Sequence, residues 1–154
     1  MIEKIVSGGQ TGADRAALDA AIACGIPHGG WCPKGRLAED GPISERYQLT
    51  ETDGASYLAR TERNVKRSGG IVILTLGEMA GGSARTADFA RRHRKPWLHL
   101  RLDGMNDEEA VEKLRAFVNE NGIRVLNVAG SRASTEAGIY ERCRGIVSGL
   151  LESE

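Results

Sequence analysis

The sequence predicts a Rossmann-like, doubly wound α/β fold, with a mainly parallel sheet of about five strands and helices on both of its faces. Short apolar runs alternate along the chain with longer stretches in which apolar residues recur at helical spacing. Glycine-rich turns stand at several points where a predicted strand passes into a predicted helix. A chain of 154 residues has the length of one domain, so we expect a single unit over residues 1–154.

The first half of the chain contains both clear and weak elements. In order, they are a strand over 2–6, a helix over 13–24, a weaker strand over 26–32, a short strand over 47–52 and a helix over 53–67. The first run is too short for a helix and is typical of a buried parallel strand, and Gly25 ends the helix after it. Gly29 and Gly30 interrupt the weaker strand, and Asp53 is the candidate N-cap of the second helix.

The helix over 53–67 has two different faces. One stripe carries Leu58, Thr61 and Val65, and the opposite side carries Arg60, Arg63 and Arg67. Because long cationic side chains keep their charge in water, the spacing alone predicts that these arginines form a solvated face.

The second half of the chain repeats the alternation. In order, we expect a strand over 71–76, a helix over 83–93, a strand over 96–100, a helix capped by Asn106 or Asp107 and ended by Gly122, a strand over 123–128 and a final helix. The run over 71–76 is continuous and β-branched, which is typical of a buried strand. The run over 96–100 alternates, so we expect it nearer to an edge of the sheet.

Composition narrows the classes of partner. Lys and Arg balance Asp and Glu at 21 each, so the net charge indicates neither nucleic acid nor an anionic membrane surface. No apolar run approaches the roughly 20 residues of a membrane span, and the first residues do not resemble a signal peptide. We therefore expect a cytoplasmic protein that binds neither a membrane nor nucleic acid.

The cysteines argue against structural cross-links. Cys24, Cys32 and Cys143 are odd in number and lack a C-x-x-C spacing, which disfavours a disulfide framework and a preformed zinc site. Cys24 and Cys143 fall on apolar helix faces, where a thiol acts as a small hydrophobe. Cys32 lies in a loop before Pro33, and its reactivity is left open.

The turn between the first strand and the first helix is Ser7-Gly8-Gly9-Gln10-Thr11-Gly12-Ala13-Asp14. The first four amides of a helix lack partners and carry the positive end of its dipole, so such a turn favours a phosphate, another oxyanion or a carboxylate. Its glycine spacing matches neither the dinucleotide fingerprint nor a P-loop. A purely structural turn needs no polar side chains, so the candidate ligand-binding residues here are Gly8, Gly9, Gln10, Thr11, Gly12 and Asp14.

Two further turns, at Gly81-Gly82-Ser83 and Gly130-Ser131-Arg132, are placed to reach the same edge of the sheet. Their residues are therefore further candidates for ligand binding. Lys34, Arg36 and Arg132 put positive charge near the expected pocket, which favours an anionic ligand.

Two common chemistries are disfavoured. An NAD site needs an acid about 20 residues after the first glycines, where this chain has Trp31-Cys32-Pro33-Lys34 instead. The three histidines lie in separate segments, and no G-x-S-x-G elbow is present. The sequence therefore shows no clear Ser-His-Asp arrangement for nucleophilic hydrolysis.

Several of these motifs together resemble the family known as "putative molybdenum carrier". They are residues 7–14, Gly30-Trp31-Cys32-Pro33-Lys34-Gly35-Arg36, Ala38-Glu39-Asp40-Gly41, Gly81-Gly82-Ser83 and Asn127-Val128-Ala129-Gly130-Ser131-Arg132. The resemblance implies a Rossmann-like fold of the SLOG superfamily, related to the lysine decarboxylase-like LOG proteins. It also implies molybdenum cofactor as a possible ligand and a homo-oligomeric protein.

LOG proteins are phosphoribohydrolases, which cleave the base from a nucleoside 5′-monophosphate with an arginine and with the glutamate of a PGGxGTxxE motif. On the resemblance, Arg60 matches the arginine and Gly81-Gly82 matches the glycine pair. The chain departs from the motif at Ala80 for the proline, Ala84 for the third glycine, Arg85 for the threonine and Asp88 for the glutamate. A shorter carboxylate on a longer loop disfavours hydrolysis, because catalysis tolerates a misplacement of only about 1 Å.

Two functions therefore stay open. In the first, a binding or carrier protein uses the amides of residues 9–13 and 131–133 to hold a phosphate-bearing ligand such as molybdenum cofactor, with Thr11, Lys34, Arg36 and Arg132 as side-chain donors. In the second, a nucleotide N-glycosidase uses Arg60 to orient the phosphate or sugar and Asp88 to act on the ribose. Neither hypothesis assigns a metal ligand to the chain.

Overall fold

Strands and helices alternate throughout the chain in this computed structural model, which describes residues 1–54 and 56–152. The strands are β1 (Lys4–Val6), β2 (His28–Gly29), β3 (Trp31–Cys32), β4 (Thr50–Glu51), β5 (Gly70–Thr75), β6 (Trp97–Arg101) and β7 (Val125–Gly130). The α-helices are α1 (Ala13–Ala23), α2 (Tyr57–Lys66), α3 (Gly81–Arg92), α4 (Asp107–Glu120) and α5 (Ile139–Glu152), with a 3-10 turn at Leu102–Gly104. In the described ranges no helix combines the length and the apolar character that crossing a membrane requires.

Five strands form one sheet in the order β2-β1-β7-β5-β6, and every pairing in it is parallel. The predicted Rossmann-like α/β fold with five parallel strands is thus confirmed. Strand β6 lies at an edge, as its alternating pattern predicted. Strands β3 and β4 pair with each other in a separate two-stranded sheet.

Helices cover both faces of the five-stranded sheet. Strand β5 shows this directly, because Val72 and Leu74 belong to the core beneath α1, α4 and α5, whereas Ile71 and Ile73 belong to the core beneath α2 and α3. Alternate residues of a strand point to opposite faces, so the side chains over 71–74, which are buried on both faces, are all apolar.

The connections of the sheet create a crevice at its centre. The chain moves outward in one direction from β1 through α1 to β2, and in the other direction from β5 through α3 to β6. Strand β7 lies between β1 and β5. In open α/β sheets, ligands bind beyond the carboxyl ends of the strands at the point where the strand order reverses. The amino ends of α1 and α3 flank that point from opposite faces.

The predicted strand over 26–32 is wrong as a single element. It is divided into β2, which joins the main sheet, and β3, which pairs with β4. The break falls at Gly30, whose φ of +132° turns the chain out of the sheet.

Three expectations for α2 also need correction. Its N-cap is Ser56, whose hydroxyl accepts from the Ala59 N–H at 3.4 Å, rather than Asp53. Leu58, expected on the buried stripe, is 45% exposed. Arg60, expected in solvent from the helical spacing alone but near the ligand from the resemblance, has a side chain that is only 12% exposed. The amino end of α2 meets the edge of the sheet, so Tyr57, Leu58 and Arg60 of its first turn line the crevice.

Candidate functional site

A cavity of about 320 Å³ lies at the carboxyl ends of β5 and β7, where the crevice was expected. Its wall is built from the amino ends of α1, α2 and α3 and from the turn after β7. The predicted site residues that the structure brings together here are Gln10, Asp14, Arg60, Gly81, Gly82, Ser83, Gly130, Ser131 and Arg132. Residues missed by the sequence interpretation include Tyr57, Leu58, Glu78 and Glu136.

Arg60 reaches the cavity from the first turn of α2. Its Nη1 lies 3.4 Å from Asp14 Oδ2, and its Nε is buried without a partner among the described residues. Gly8 makes this position possible, because a Cβ at residue 8 would stand 1.7 Å from Arg60 Nη1. The glycine therefore serves the close approach of a guanidinium rather than the direct approach of a ligand.

Asp14 lies beneath this guanidinium on the first turn of α1. It is 6% exposed, and its Oδ2 also accepts from the Gln10 N–H at 3.4 Å. Burial raises the pKa of Asp14 above its ordinary value, although the charge of Arg60 opposes the rise. The pair brings an acid and a permanently charged donor together at the floor of the cavity.

Gln10 lies in the cavity wall with its amide held in one orientation. Its Nε2 donates to the carbonyl of Leu37 at 2.9 Å, and its Oε1 is buried without a partner in the described part of the chain. An unpaired buried acceptor costs free energy, so a hydrogen-bond donor brought beside this oxygen would stabilise the protein.

The amino end of α3 supplies backbone to the cavity. Its N-cap residue, Ala80, provides no side-chain cap. Among the described residues, no atom beyond the adjoining backbone lies within 4 Å of the position that a Cβ would take at Gly81 or at Gly82, so these glycines leave space above the first turn. The positive end of the α3 dipole therefore faces the cavity, where it favours an anion.

Glu136 shapes the opposite wall. Its carboxylate accepts from the N–H groups of Leu76 at 2.8 Å and Gly77 at 2.9 Å, and from the hydroxyl of Ser131. Glu136 thus joins the ends of β5 and β7, and it occupies backbone amides that an anionic ligand could otherwise use. Its position in the turn after β7 gave no signal in the sequence, since it belongs to no glycine motif.

The first glycine turn does not present its amides to a ligand as expected. Gly9 N–H donates to Ser7 Oγ, Ala13 N–H to the carbonyl of Ser131, and Ala133 N–H to Thr11 Oγ1, at 3.1–3.2 Å. The two glycine turns therefore bind each other, with Gly12 packed against the backbone of Ser131. Gly8, Gly9, Thr11 and Gly12 do not line the cavity of about 320 Å³.

The structure also places three other predicted residues away from that cavity. Arg36 donates to the backbone carbonyls of Ile43, Ser44, Tyr47 and Leu49, so its guanidinium holds its own loop together. Lys34 is exposed on the same loop. Asp88 is 66% exposed and pairs with Arg91 at 3.0 Å. A helix turns by about 100° per residue, so Asp88 lies roughly 200° around α3 from the cavity residue Thr86.

Two carboxylates fasten the loop after β3 across the glycine turns. The Glu39 carboxylate accepts from the hydroxyls of Thr11 and Ser134, and Asp40 pairs with Arg15 at 2.5 Å. The hydrogen bonds from Ser134 and Thr11 hold the pKa of Glu39 below its ordinary value, and the one from Arg15 does the same for the pKa of Asp40. Such groups stabilise the closed loop above their ordinary pKa values, and the stabilisation is lost as the pH falls through the lowered values.

We therefore expect Glu39→Gln to loosen this loop at neutral pH without unfolding the protein. Exposed ion pairs and hydrogen bonds contribute little, so amide exchange over residues 36–43 should accelerate by about two- to fivefold. Hydrogen exchange followed by mass spectrometry checks this. In the unchanged protein, exchange protection in the loop should persist at pH 5 and weaken only below the ordinary carboxyl values of 4.5 and 3.8. Loosening between pH 7 and pH 5 would contradict the assignment.

The cysteines contribute nothing to this site. Cys32 is buried with Leu18, Ile43 and Tyr47, and burial raises the pKa of its thiol. Cys143 is buried and Cys24 half-buried, in keeping with their prediction as small hydrophobes. Within the described ranges, no group of three or more His, Cys, Asp or Glu side chains could hold a metal ion.

The parallel sheet and the cavity at its switch point define a Rossmann-like protein. More narrowly, the chain belongs to the circularly permutated YpsA SLOG family, whose model matches residues 5–151. It is 48% identical to a protein from Syntrophus aciditrophicus SB described as "Putative molybdenum carrier protein". That protein's crystal structure matches with a TM-score of 0.95 over 97% of this chain and 95% of the other. The family predicted from the motifs is thus confirmed. No curated protein matches the chain.

Proposed function

We propose that this protein binds a small ligand carrying a phosphate or a comparable oxyanion, held between Arg60 and the amino end of α3. The observation that supports this proposal is that the Arg60 guanidinium is nearly buried but makes few hydrogen bonds to the described residues. Among those residues, its hydrogen bonding consists of one contact of 3.4 Å to Asp14, and its Nε is unpartnered. A guanidinium carries five N–H donors in a planar fork that suits phosphate, so this group is poised to bind an anion.

Other charges around the cavity support an anionic ligand. Arg132 and Arg85 line the wall together with Arg60, and the first turn of α3 adds the positive end of a helix dipole. Phosphate held by both a guanidinium and a helix amino end is a common arrangement in proteins. Glu78 and Glu136 lie in the same wall, so the cavity also offers acceptors to a polar ligand.

Molybdenum cofactor is one candidate ligand, and the name of the 48% identical protein supports it. A volume of about 320 Å³ is at the lower end for ligand sites, so it suits a single nucleotide or a pterin phosphate rather than a dinucleotide. Arg60 and α3 would hold the phosphate, and Gln10 Oε1 would accept from the ring. The bound cofactor would supply a molybdenum–dithiolene centre as cargo, and no side chain of the described cavity offers that metal a thiolate.

Hydrolysis of a nucleoside 5′-monophosphate is the alternative, and one observation favours it. The cavity contains the acids Asp14 and Glu136 close to a guanidinium, although not Asp88. Release of free base from a nucleoside monophosphate, lost in Asp14→Asn, would establish this activity. If no base is released over hours at a concentration that saturates binding, the protein is a binding or carrier protein instead.

A thermal-shift panel tests the proposed function. The probes are inorganic phosphate, molybdate, ribose 5-phosphate, nucleoside monophosphates and a pterin phosphate, with elemental analysis of the purified protein for molybdenum. A ligand at a hundred times its Kd stabilises the folded state by about 2.7 kcal/mol. For a chain of this length, that corresponds to a rise in melting temperature of roughly 5–11 °C. The proposal is wrong if no phosphate-bearing probe produces a shift at millimolar concentration.

A further inference from the structure

An exposed leucine lines the wall of the cavity. The large hydrophobic side chains exposed in the described part of the chain are Met1, Leu37 and Leu58. Leu58 is 45% exposed and lines the cavity, whereas Leu37, 43% exposed, does not. Apolar surface at the wall of a ligand cavity is typical of sites that cover an apolar part of the ligand.

Tyr57, next to Leu58, belongs to the same wall and is surrounded by planar cations. The guanidinium carbon of Arg132 lies 5.0 Å from the centre of its ring, and that of Arg60 lies 5.7 Å from it. A guanidinium stacks on aromatic faces and is itself a flat surface for another ring. The aromatic ring therefore orients both cations and, with Leu58, gives the cavity a wall of flat and apolar groups.

Gln10 adds a polar requirement to the apolar one, because it presents an acceptor that a ligand would have to satisfy. Its Nε2 is committed to the carbonyl of Leu37, so the amide cannot reverse without losing that hydrogen bond. The remaining Oε1 is an acceptor in a residue that is 2% exposed. A ligand that satisfies it must bring an N–H or O–H group, which the molybdate ion lacks.

We propose that Tyr57, Leu58 and Arg132 form a subsite for a planar heteroaromatic ring. The cavity then takes ligands in which such a ring, bearing an N–H group, is joined to a phosphate, as in a purine nucleotide or a pterin phosphate. Bare oxyanions and sugar phosphates are bound less well. This inference rests on the proposed function, since it adds a ring site beside the phosphate site at Arg60.

Calorimetry with three probes tests the subsite. Guanosine 5′-monophosphate and a pterin phosphate carry ring and phosphate, whereas ribose 5-phosphate carries the phosphate alone. Stacking of a base on planar side chains gives about a tenfold advantage or more, so at least one ring probe should bind about tenfold more tightly than ribose 5-phosphate. Leu58→Asn should lower the affinity for that probe by about three- to tenfold while leaving ribose 5-phosphate within twofold.

Leu37→Asn is the matched control, because it changes the side chain of a similarly exposed leucine outside the cavity wall and keeps the backbone carbonyl that accepts from Gln10. It should leave the affinity of all three probes unchanged. The subsite is wrong if neither ring probe binds better than ribose 5-phosphate, or if Leu37→Asn weakens the ring probe as much as Leu58→Asn does. Binding of ribose 5-phosphate in those cases leaves the proposed function intact. Failure of every probe to bind overturns both the subsite and the proposed function.

Discussion

Replacing Arg60 with methionine is expected to reduce the affinity for a phosphate-bearing ligand by about 30-fold or more. Loss of one partner from a buried charge pair costs about 2–5 kcal/mol, and each 1.4 kcal/mol is a factor of ten. Methionine keeps an unbranched apolar side chain at this position but removes all five N–H donors. Calorimetry with the tightest probe of the thermal-shift panel measures the loss.

The control for this change is Arg63→Met, one turn further along α2. Arg63 is exposed and lies 5.9 Å from the ring of Trp31, so its removal should change the affinity by less than twofold. Both variants should stay folded. Burial already raises the pKa of Asp14, so that carboxyl is expected to take up a proton when Arg60 is absent, rather than remain as a buried charge. Equal affinities for the two variants would exclude Arg60 from the binding site.

Replacing Gly12 with alanine is expected to destabilise the fold strongly, because the added methyl group would stand between the two glycine turns. Gly12 has a φ of +81°, and a Cβ there would lie 2.2 Å from the carbonyl oxygen of Ser131 and 2.9 Å from the nitrogen of Ala133. Strain at positive φ and the forced separation of two backbones together cost about 3 kcal/mol. The melting temperature should therefore fall by roughly 6–12 °C in a calorimetric scan.

A comparison with Gly25→Ala separates the backbone strain at positive φ from the clash between the two turns. Gly25 has a similar φ of +69°, but in the described part of the chain no atom beyond its chain neighbours lies within 4 Å of its Cβ position, so only the backbone strain is introduced. The expected loss is about 1 kcal/mol, or roughly 2–4 °C. If the two variants lose the same stability, the contact between the glycine turns does not contribute as the structure indicates.

The strands and the family were predictable because they depend on local signals. The run over 71–74 in β5 is apolar at every position because both of its faces are covered, and its short length and β-branched residues are typical of a buried strand. The glycine turns were recognisable as motifs for the same reason. Their role was harder to predict, because the amides of a strand-to-helix turn can bind an anion or another turn. Here the turn at Gly12 and the turn at Ser131 bind each other.

Which side chains face the cavity depends on how the helices pack against the sheet. Helical spacing grouped Arg60 with Arg63 and Arg67, yet only the first lies at the end of α2 that meets the sheet. Motif spacing favoured Asp88, but α3 begins where the glycine pair stands, and this start directs Ser83 and Thr86 inward instead. Leu58 and Glu136 left no signal, since a leucine on a helix normally predicts burial and a lone glutamate normally predicts solvent exposure.

The central claim is that a phosphate binds between Arg60 and the first turn of α3, and a crystal structure of the complex tests it most directly. Crystals of the protein with the tightest ring-bearing phosphate should show density for the phosphate within hydrogen-bonding distance of the Arg60 guanidinium and beside Gly82. Density for the phosphate at the Gly9–Gly12 turn, with Arg60 still paired only to Asp14, would contradict it.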